Sequence, residues 1–232
     1  RLGIVHDAGG WGLFKALYGT AFRAPSVYER AYIVPSIGYG NPTLLPEKMR
    51  SFEVSWEKRF SLQSRLTATA YHFDIERMVT TDSAGLAVNG TPVRANGLEI
   101  EYEQQWSNGS RLRTGYSVQY AADETRRLDN SPRHMAKLNL AVPAGLPGLM
   151  AGIEGQWIAA RLGNAGSENL APYGLANVNL SYAPAGSQWA LGLSIYNLFD
   201  RRHDAAHGSA SRTFYDMPQQ PRTWVATLEY RF

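Results

Sequence analysis

The stretch Arg222-Thr-Trp-Val-Ala-Thr-Leu-Glu-Tyr-Arg-Phe232 decides the fold of this chain. Its apolar residues share one parity: Trp224, Ala226, Leu228, Tyr230 and Phe232. The other parity is polar except for Val225. Alternation of this kind predicts a β-strand with one apolar and one polar face. A strand that faces lipid buries all of these apolar side chains, with its aromatic rings near the membrane interface. We therefore predict that this strand faces lipid.

The composition fits a protein built of strands. At 232 residues the chain can fill one β-domain or two small ones, and its aromatic fraction is 12%. The net charge of +3 gives no reason to expect nucleic acid as a partner, and the absence of Cys excludes disulfides and thiolate metal sites. No run of about 18 apolar residues occurs, so no transmembrane helix is predicted. The mean hydropathy of −0.32 suits a soluble protein and a transmembrane barrel equally, because half of each barrel strand faces a polar lumen.

The period-2 pattern recurs along the chain and predicts ten strands, with a partial one before Asp7. Besides the terminal strand, it is clear at residues 52–56, 98–102, 112–120, 178–182 and 189–195. It is weaker at residues 11–22, 65–75, 133–142 and 149–159. The amino-terminal stretch RLGIVHDAGG has neither the long apolar segment nor the cleavage site of a signal peptide. We therefore expect the chain to begin within a protein, as a carboxy-terminal fragment.

The connections between these strands alternate strictly between short and long. The short ones hold turn residues and fall at residues 7–10, 61–64, 107–110, 143–148 and 184–187. The long ones fall at residues 23–47, 76–92, 121–132, 161–172 and 200–221. This asymmetry predicts an up-and-down meander with tight turns at one end, as in outer-membrane barrels, whereas soluble sandwiches distribute their loops over both ends.

Charged residues follow the predicted faces. A three-residue loop, Ser107-Asn108-Gly109, places Glu103 opposite Arg113 on the inner face. A Lys at the middle of the lipid face costs roughly 2–4 kcal/mol. We therefore expect Lys15 and Lys137 to face inward or to lie near a membrane boundary. The shared parity of His72 and Asp74 predicts that both line the lumen.

Five motifs, in this order, resemble those of TonB-dependent outer-membrane receptors. Tyr18-Gly-Thr-Ala-Phe-Arg-Ala-Pro-Ser26, with Glu29, resembles the FRAP box of that family through Phe22, Arg23, Ala24 and Pro25. Gly40-Asn-Pro-Thr-Leu-Leu-Pro-Glu47 resembles the NP-x-L-x-PE box through Asn41, Pro42, Leu44, Pro46 and Glu47. Asn96-Gly-Leu-Glu99, Asn197-Leu-Phe-Asp200 and the terminal strand with Trp224, Tyr230 and Phe232 complete the resemblance.

The resemblance implies a fold class and a place within the fold. The fold would be all-β, an antiparallel up-and-down transmembrane β-barrel of which this chain supplies about half of some 22 strands. Residues 1–232 would be the carboxy-terminal part of the barrel domain. The plug domain and the first half of the barrel would then lie outside this sequence.

The resemblance also implies a function. It would be energy-coupled uptake of a scarce chelate, most often a ferric siderophore, across the bacterial outer membrane. The implied partners are outer-membrane lipid, the ferric chelate, the protein's own plug domain and the inner-membrane TonB complex. No nucleic acid, cofactor or resident metal is implied, and the chain would not be an enzyme.

Candidate ligand contacts cluster in the first long connection. Tyr28, Tyr32 and Tyr39 lie near Arg23 and Arg30 in sequence, and aromatic rings with Arg can bind an anionic iron chelate by stacking and charge pairing. The alternative is that these residues only pack the loop, and that the two boxes set loop geometry, with Arg23 anchored to an inward carboxylate such as Glu53.

The histidines predict neither a metal site nor a catalytic site. His203 and His207 have helical metal-ligand spacing, but their Gly-, Ser- and Ala-rich surroundings favour a solvated loop. His203 remains a candidate ligand contact. No group of residues suggests catalysis.

Three alternative functions remain open at this point. A passive porin shares the composition and alternation, although it has no reason to carry the FRAP and NP-x-L pair. A barrel enzyme needs a Ser-His arrangement near lipid, and neither His72 nor His134 has an obvious Ser and acidic partner. A soluble carbohydrate-binding β-domain should carry charge on the faces where this chain has Trp, Leu, Ile and Tyr.

Overall fold

A computed structural model describes residues 1–34, 38–82, 84–163, 169–206 and 216–232. Within them the chain is almost entirely β. The long strands are β1 (Leu2–Asp7), β2 (Leu13–Arg23), β5 (Glu47–Ser61), β6 (Ser64–Glu76), β9 (Val93–Gln105), β10 (Arg111–Ala122), β11 (His134–Pro143), β12 (Leu149–Ile158), β13 (Tyr173–Tyr182), β14 (Trp189–Tyr196) and β17 (Thr223–Tyr230). The short elements are α1 (Val27–Ala31), β3 (Ile33–Val34), β4 (Gly38–Tyr39), β7 (Val79–Thr81), β8 (Ala87–Asn89), β15 (Asp204–Ala206) and β16 (Asp216–Pro218).

The long strands form one sheet of eleven in chain order, β1-β2-β5-β6-β9-β10-β11-β12-β13-β14-β17. The predicted meander is confirmed, including its alternation of short and long connections. The pairs β3–β4, β7–β8 and β15–β16 form small separate sheets inside three of the long connections, and α1 lies in the first. None of these elements was predicted from the alternation.

Residue contacts divide the chain into two compact units. Unit 1 comprises residues 1–56, 69–98 and 120–128, and unit 2 comprises residues 57–68, 99–119 and 129–232.

In unit 2 the sheet has one apolar and one polar face. An apolar row is paired in direct register from strand to strand: Leu112, Leu140, Ile153, Val178, Ile195 and Trp224. The apolar residues of the terminal strand therefore share this face, as predicted. At its end the Trp189 and Tyr230 rings lie 4.5 Å apart and the Tyr230 and Phe232 rings 5.0 Å apart.

The opposite face of unit 2 carries the charges. Arg113, Asn139, Glu154 and Asn177 are paired in succession across β10, β11, β12 and β13. Lys137 has the parity of Asn139 and lines a small cavity with Asn139, Glu154 and Asn177. The prediction for Lys137 is thus confirmed.

The predicted hairpin loop is also present in unit 2. Trp106 N–H donates to the Ser110 carbonyl (2.9 Å) and Gly109 N–H to the Trp106 carbonyl (3.0 Å), which closes a three-residue loop. Gly109 has φ +87°, a left-handed conformation that suits Gly. Arg113 reaches both Glu101 (3.0 Å) and Glu103 (3.5 Å) from the facing strand.

In unit 1, close contacts identify the polar face. A Cβ on Gly19 would lie 2.8 Å from Ser51 Oγ, so Gly19 and Ser51 share a face. Lys15 has the parity of Gly19 on β2, and side chains alternate along a strand. Lys15 therefore lies on the polar face, as predicted.

The prediction for His72 and Asp74 is wrong. Thr69 Oγ1 donates to Ser55 Oγ (3.0 Å), which places Thr69 on the polar face. His72, three residues further along β6, lies on the opposite face, where it contacts Asn96 (2.6 Å) and Asp74 (3.1 Å). The physical reason is strand length. β6 has 13 residues, more than the 9–11 that cross a bilayer, so a polar residue near its end need not face inward.

Gly97 explains the Asn96-Gly-Leu-Glu99 motif. A Cβ at this position would overlap the Tyr71 ring. The ring therefore packs directly on the Gly97 backbone, an arrangement that any side chain at Gly97 would prevent. The motif contributes packing between β6 and β9.

Few apolar side chains are buried within the described residues. Leu44, Val93 and Leu170 are the buried hydrophobic residues there, whereas Trp224 and Leu228 on the terminal strand are 60% and 64% exposed. The apolar face is thus left uncovered by the described chain. Within that part of the chain, no helix has the length and apolar character needed to cross a membrane.

Candidate functional site

The FRAP box ends in a capped helical turn in unit 1. Ser26 precedes α1 as its N-cap: its Oγ accepts from Glu29 N–H (3.2 Å), and the Glu29 carboxylate accepts from Ser26 N–H (2.7 Å). This reciprocal pair is a capping box, which satisfies two backbone donors at the start of a helix. The Ser-x-x-Glu spacing could have predicted α1 from the sequence.

Arg23 joins the two boxes. Its Nε and Nη2 each donate to one oxygen of Glu47 (2.7 Å), and its Nη1 donates to Glu29 (2.9 Å). Bidentate pairing of Arg with a carboxylate is strong and directional. Arg23 therefore ties the last residue of β2 to the first residue of β5 and to α1.

Arg23 was expected to anchor to a carboxylate such as Glu53, and that choice of partner is wrong. Its carboxylate partners are Glu29 and Glu47. Both belong to the motifs, and Glu47 lies 24 positions after Arg23 in sequence, across the first long connection. Parity arguments compare residues within strands, so they could not identify a partner that lies at a strand end.

Asn41 organises the NP-x-L-x-PE box. Its Oδ1 accepts from the N–H (2.9 Å) and Oγ1 (2.6 Å) of Thr43, and its Nδ2 donates to the Ala87 carbonyl (3.0 Å). Leu44 is buried, with 6% of its surface exposed. Pro42 offers its carbonyl to Arg30 Nη2 (3.0 Å). The box thus fixes the first long connection against the β7–β8 connection.

Asn89, in the second long connection, adds further hydrogen bonds to the NP-x-L-x-PE box. Its Oδ1 accepts from Leu45 N–H (2.9 Å), while its Nδ2 donates to the carbonyls of Leu45 (3.0 Å) and Arg77 (2.8 Å). Glu47 also accepts from Val79 N–H (2.7 Å). Sequence reasoning gave Asn89 no role in this network, because a single Asn in a loop carries no distinguishing pattern.

Two of the candidate ligand contacts of unit 1, Tyr28 and Tyr32, are in contact with each other. The Tyr28 and Tyr32 rings are stacked with centroids 4.7 Å apart, and both residues are exposed at 62% and 54%. Arg30 lies on α1 with Tyr28, and Tyr32 is the residue that follows α1. The side chain of Tyr39 lies outside the described residues, as does His207. The exposed stack is available to a ligand, whereas Arg23 is engaged by carboxylates through all three nitrogens.

Phe22, Ala24, Pro25 and Pro46 are apolar members of the two boxes and carry no polar side-chain group. Phe22 is 77% exposed. Pro25 follows the end of β2 and Pro46 precedes β5, positions where the missing N–H of Pro costs no ladder hydrogen bond.

Asn197 holds the last long connection in unit 2. It is buried, has φ +51°, and its side chain accepts from Arg201 N–H (2.8 Å) and donates to the carbonyls of Arg201 (3.0 Å) and Gln220 (3.3 Å). Asp200 closes the same loop by accepting from Arg222 N–H (2.8 Å). The motif Asn197-Leu-Phe-Asp200 therefore sets the geometry of this connection.

His203 lies in unit 2, in a different cluster from Arg23. Its ring stacks on Tyr173 with centroids 4.4 Å apart, and its Nδ1 lies 3.2 Å from the Arg201 carbonyl. It is half-buried. Within the described residues, no group of three or more His, Cys, Asp or Glu side chains could hold a metal ion.

A charged groove of about 630 Å³ lies near the short-turn end of unit 2. Arg65 donates to Glu103 (2.7 Å), and Arg113 contacts both Glu101 and Glu103. Alternating charges of this kind suit a wall in contact with water, because exposed ion pairs cost little to solvate and contribute little to stability.

The chain matches the family described as TonB dependent receptor-like, beta-barrel over residues 1–198. It belongs to that family. The predicted resemblance is thus confirmed, and the predicted fold class, part of an antiparallel transmembrane barrel, is confirmed with it.

Two relatives of known name match most of this chain: one is named as a transporter and the other as a receptor. The vitamin B12 transporter BtuB of Vibrio vulnificus (strain YJ016) is 25% identical over 224 residues, 94% of this chain and 35% of the relative. The metal-pseudopaline receptor CntO of Pseudomonas aeruginosa (strain UCBPP-PA14) is 26% identical over 202 residues, 80% of this chain and 28% of the relative. The chain spans about a third of the length of these relatives.

Solved structures share the fold. The ferric-catecholate import receptor Fiu from E. coli K12 superposes with a TM-score of 0.78 at 20% identity, covering 99% of this chain and 34% of that chain. The copper transporter OprC gives a TM-score of 0.78 at 19% identity, with 99% and 38% coverage. The relatives are named as receptors and transporters.

The capping box predicts a pH dependence in the first connection. The Ser26 N–H, and then the Arg23 guanidinium, hold the pKa of the Glu29 carboxyl below its ordinary value of 4.5. Because the folded pKa is lowered, the stabilisation is complete above 4.5 and is lost as the pH falls through the lowered pKa. Amide exchange at residues 26–31 of the full-length receptor, corrected for the intrinsic rate, should accelerate below that pH.

Glu29→Gln provides the control for this prediction, because it retains the shape without titrating. Its exchange should depend less on pH, and the remaining dependence should come from Glu47, which shares the Arg23 guanidinium. Identical pH profiles for the wild type and Glu29→Gln would mean that Glu29 does not control this turn.

Proposed function

We propose that this chain is the carboxy-terminal part of the barrel domain of an outer-membrane receptor that imports a metal chelate, specifically a ferric siderophore. The described part of the chain supplies eleven strands of the barrel wall, and five long connections join them. The plug domain and the remaining strands belong to the rest of the full-length protein. Uptake is driven by energy that the inner-membrane TonB complex delivers to the plug.

The observation that carries the proposal is the junction of the two boxes through Arg23. Its bonds to Glu29 and Glu47 give the FRAP and NP-x-L-x-PE motifs a shared structural purpose, whereas a passive porin has no need for that pair. The continuous apolar row of unit 2 supports outer-membrane lipid as the partner of that face. In unit 1, the exposed Tyr28–Tyr32 stack and Arg30 provide contacts for an aromatic, anionic chelate. In unit 2, His203 is a separate candidate contact.

Uptake in cells tests the proposal. The full-length receptor is expressed in a strain without its other iron receptors, and accumulation of a radioactive ferric tris-catecholate complex is measured with and without TonB and after an uncoupler. We expect accumulation that depends on the receptor, on TonB and on the proton gradient. A matched Tyr28→Ala/Tyr32→Ala variant should weaken binding without lowering the amount of receptor in the membrane.

Two results would contradict the proposal in different ways. Uptake that persists without TonB would favour the passive porin. Uptake of radioactive cyanocobalamin but not of the ferric complex would retain an energy-coupled receptor and overturn the siderophore assignment.

A further inference from the structure

Arg161 is a buried cation among the long connections of unit 2. It follows the end of β12, and only 6% of its surface is exposed. Transfer of a charge out of water is costly unless the charge is compensated. Arginine in a solvated loop would avoid this cost, so the burial of Arg161 requires a structural reason.

The contacts of Arg161 reach three separate connections. Its Nε donates to Asn130 Oδ1 (2.8 Å) in the β10–β11 connection, and its Nη2 donates to the Asp204 carbonyl (2.9 Å) in the β14–β17 connection. Its backbone pairs with Leu170, across its own connection, in both directions (3.2 and 2.9 Å). One side chain therefore links three loops that are far apart in sequence.

Neutral groups compensate the charge. Within the described residues no carboxylate forms an ion pair with Arg161, and its buried Nη1 has no hydrogen-bond partner. The guanidinium carbon instead lies 5.5 Å from the centre of the Tyr173 ring, within the range of a cation–π contact. Arg161 is thus held by an amide, a carbonyl and an aromatic ring.

The same Tyr173 ring carries His203. The two ring centroids are 4.4 Å apart with an angle of 34° between the planes, and the His203 carbonyl accepts from Gln219 N–H (3.0 Å) across the β15–β16 connection. Arg161 contacts Tyr173, whose ring stacks on His203, and Asp204, the residue that follows His203. Arg161 therefore restrains His203 on two sides.

We propose that Arg161 is a positioning residue that locks the three long connections of unit 2 together and orients the Tyr173–His203 pair as a contact for an aromatic chelate. The lock depends on the geometry of the guanidinium. Its planar fork holds separate donors in fixed directions toward two acceptors on different loops, a geometry that the single ammonium of a lysine does not reproduce. The ligand part of this inference rests on the proposed function, whereas the locking of the loops does not.

Hydrogen exchange on the full-length receptor tests the lock. Arg161→Met and Arg161→Lys should both accelerate exchange at the amides of Asn130, Leu170 and Gln219, by about tenfold or more. Amides within β12 and β13 should be unchanged, which shows that the barrel remains folded. Arg133→Met, the loss of an exposed arginine, is the matched control and should change none of them. Acceleration restricted to residues 159–172 would overturn the proposal.

The orientation of His203 has its own spectroscopic signature. In receptor labelled with ¹³C at histidine, the His203 ring signal should be shifted upfield by the Tyr173 ring and should lose that shift in Arg161→Met, while the signals of His72 and His134 stay in place. An unchanged His203 signal would show that Arg161 does not position it.

Binding of the ferric tris-catecholate probe tests the ligand part. Arg161→Met and His203→Ala should each weaken binding about tenfold. The double variant should bind no more weakly than either single variant, because both changes remove the same ligand contact. Additive losses would overturn the shared role. If the wild-type receptor does not bind this probe, the proposed function fails, while the exchange and ¹³C results still decide whether Arg161 is a lock.

Discussion

Replacing Arg23 with Met should release the first long connection from the barrel wall while leaving the strands paired. Four hydrogen bonds from one guanidinium hold Glu29 and Glu47. Without the cation, two half-buried carboxylates remain without their partner and repel each other. We expect exchange at the amides of Ser26 and Val79, which both donate to these carboxylates, to accelerate about ten- to a hundredfold in the full-length receptor.

The charge-free variant separates the loss of pairing from the loss of packing. Arg23→Met combined with Glu29→Gln and Glu47→Gln removes the repulsion, so it should exchange more slowly than Arg23→Met alone. Arg23→Lys should lie between the wild type and Arg23→Met, because a lysine can satisfy one carboxylate but not the bidentate geometry.

The same series decides between the two roles suggested for Arg23. A structural role predicts that exchange at Val79 and ligand affinity change together. A direct ligand contact predicts lower affinity with unchanged exchange at Val79. Because the guanidinium is already bound through Nε, Nη1 and Nη2, we expect the first result.

Alternation predicted the strands because each strand of the wall faces two different environments. It located all eleven, yet it placed their ends poorly. β13 begins at Tyr173 rather than at residue 178, since Gly174 and Ala176 are too small to mark a face. β5 extends back to Glu47, through residues that also belong to a motif. Periodicity reports a face, whereas strand ends depend on the hydrogen bonds of the connections.

The side-chain contacts within and between the long connections were harder to predict from the sequence than the strands. Arg23 and Glu47 were recognised as motif residues, but their pairing across a long connection could not be derived from spacing. Arg161 belongs to no motif, and its burial depends on Asn130 and Asp204, residues 31 and 43 positions away. A local pattern carries no information about such distant partners, so only the folded arrangement identifies them.

The polar faces illustrate a further limit. Lys15 and Lys137 were placed correctly because the energetic cost of a cation at the middle of the lipid face excludes that position. His72 and Asp74 lie near the end of a long strand, where both faces can meet water. There the energetic constraint is absent, and parity alone gave the wrong face.

Asn197→Ala should destabilise the full-length receptor by about 3 kcal/mol. The buried side chain loses one acceptor and two donor contacts, which leaves the carbonyls of Arg201 and Gln220 and the N–H of Arg201 without these partners. The left-handed backbone at φ +51° adds about 1–2 kcal/mol for any residue with a Cβ that gains no local hydrogen bond. Urea unfolding in lipid vesicles measures the change.

A matched series resolves these two contributions. Asn197→Gly removes the hydrogen bonds but permits the backbone conformation, so it should be less destabilising than Asn197→Ala by about 1 kcal/mol. Asn197→Asp keeps the acceptor for Arg201 N–H but presents a carboxylate to two carbonyls, so it should be at least as harmful as Ala. Asn139→Ala, on the exposed polar face, should change stability by less than about 0.5 kcal/mol. Equal effects of Asn197→Ala and Asn139→Ala would show that the last connection is held by its backbone alone, and the Asn197 side chain would then need another explanation.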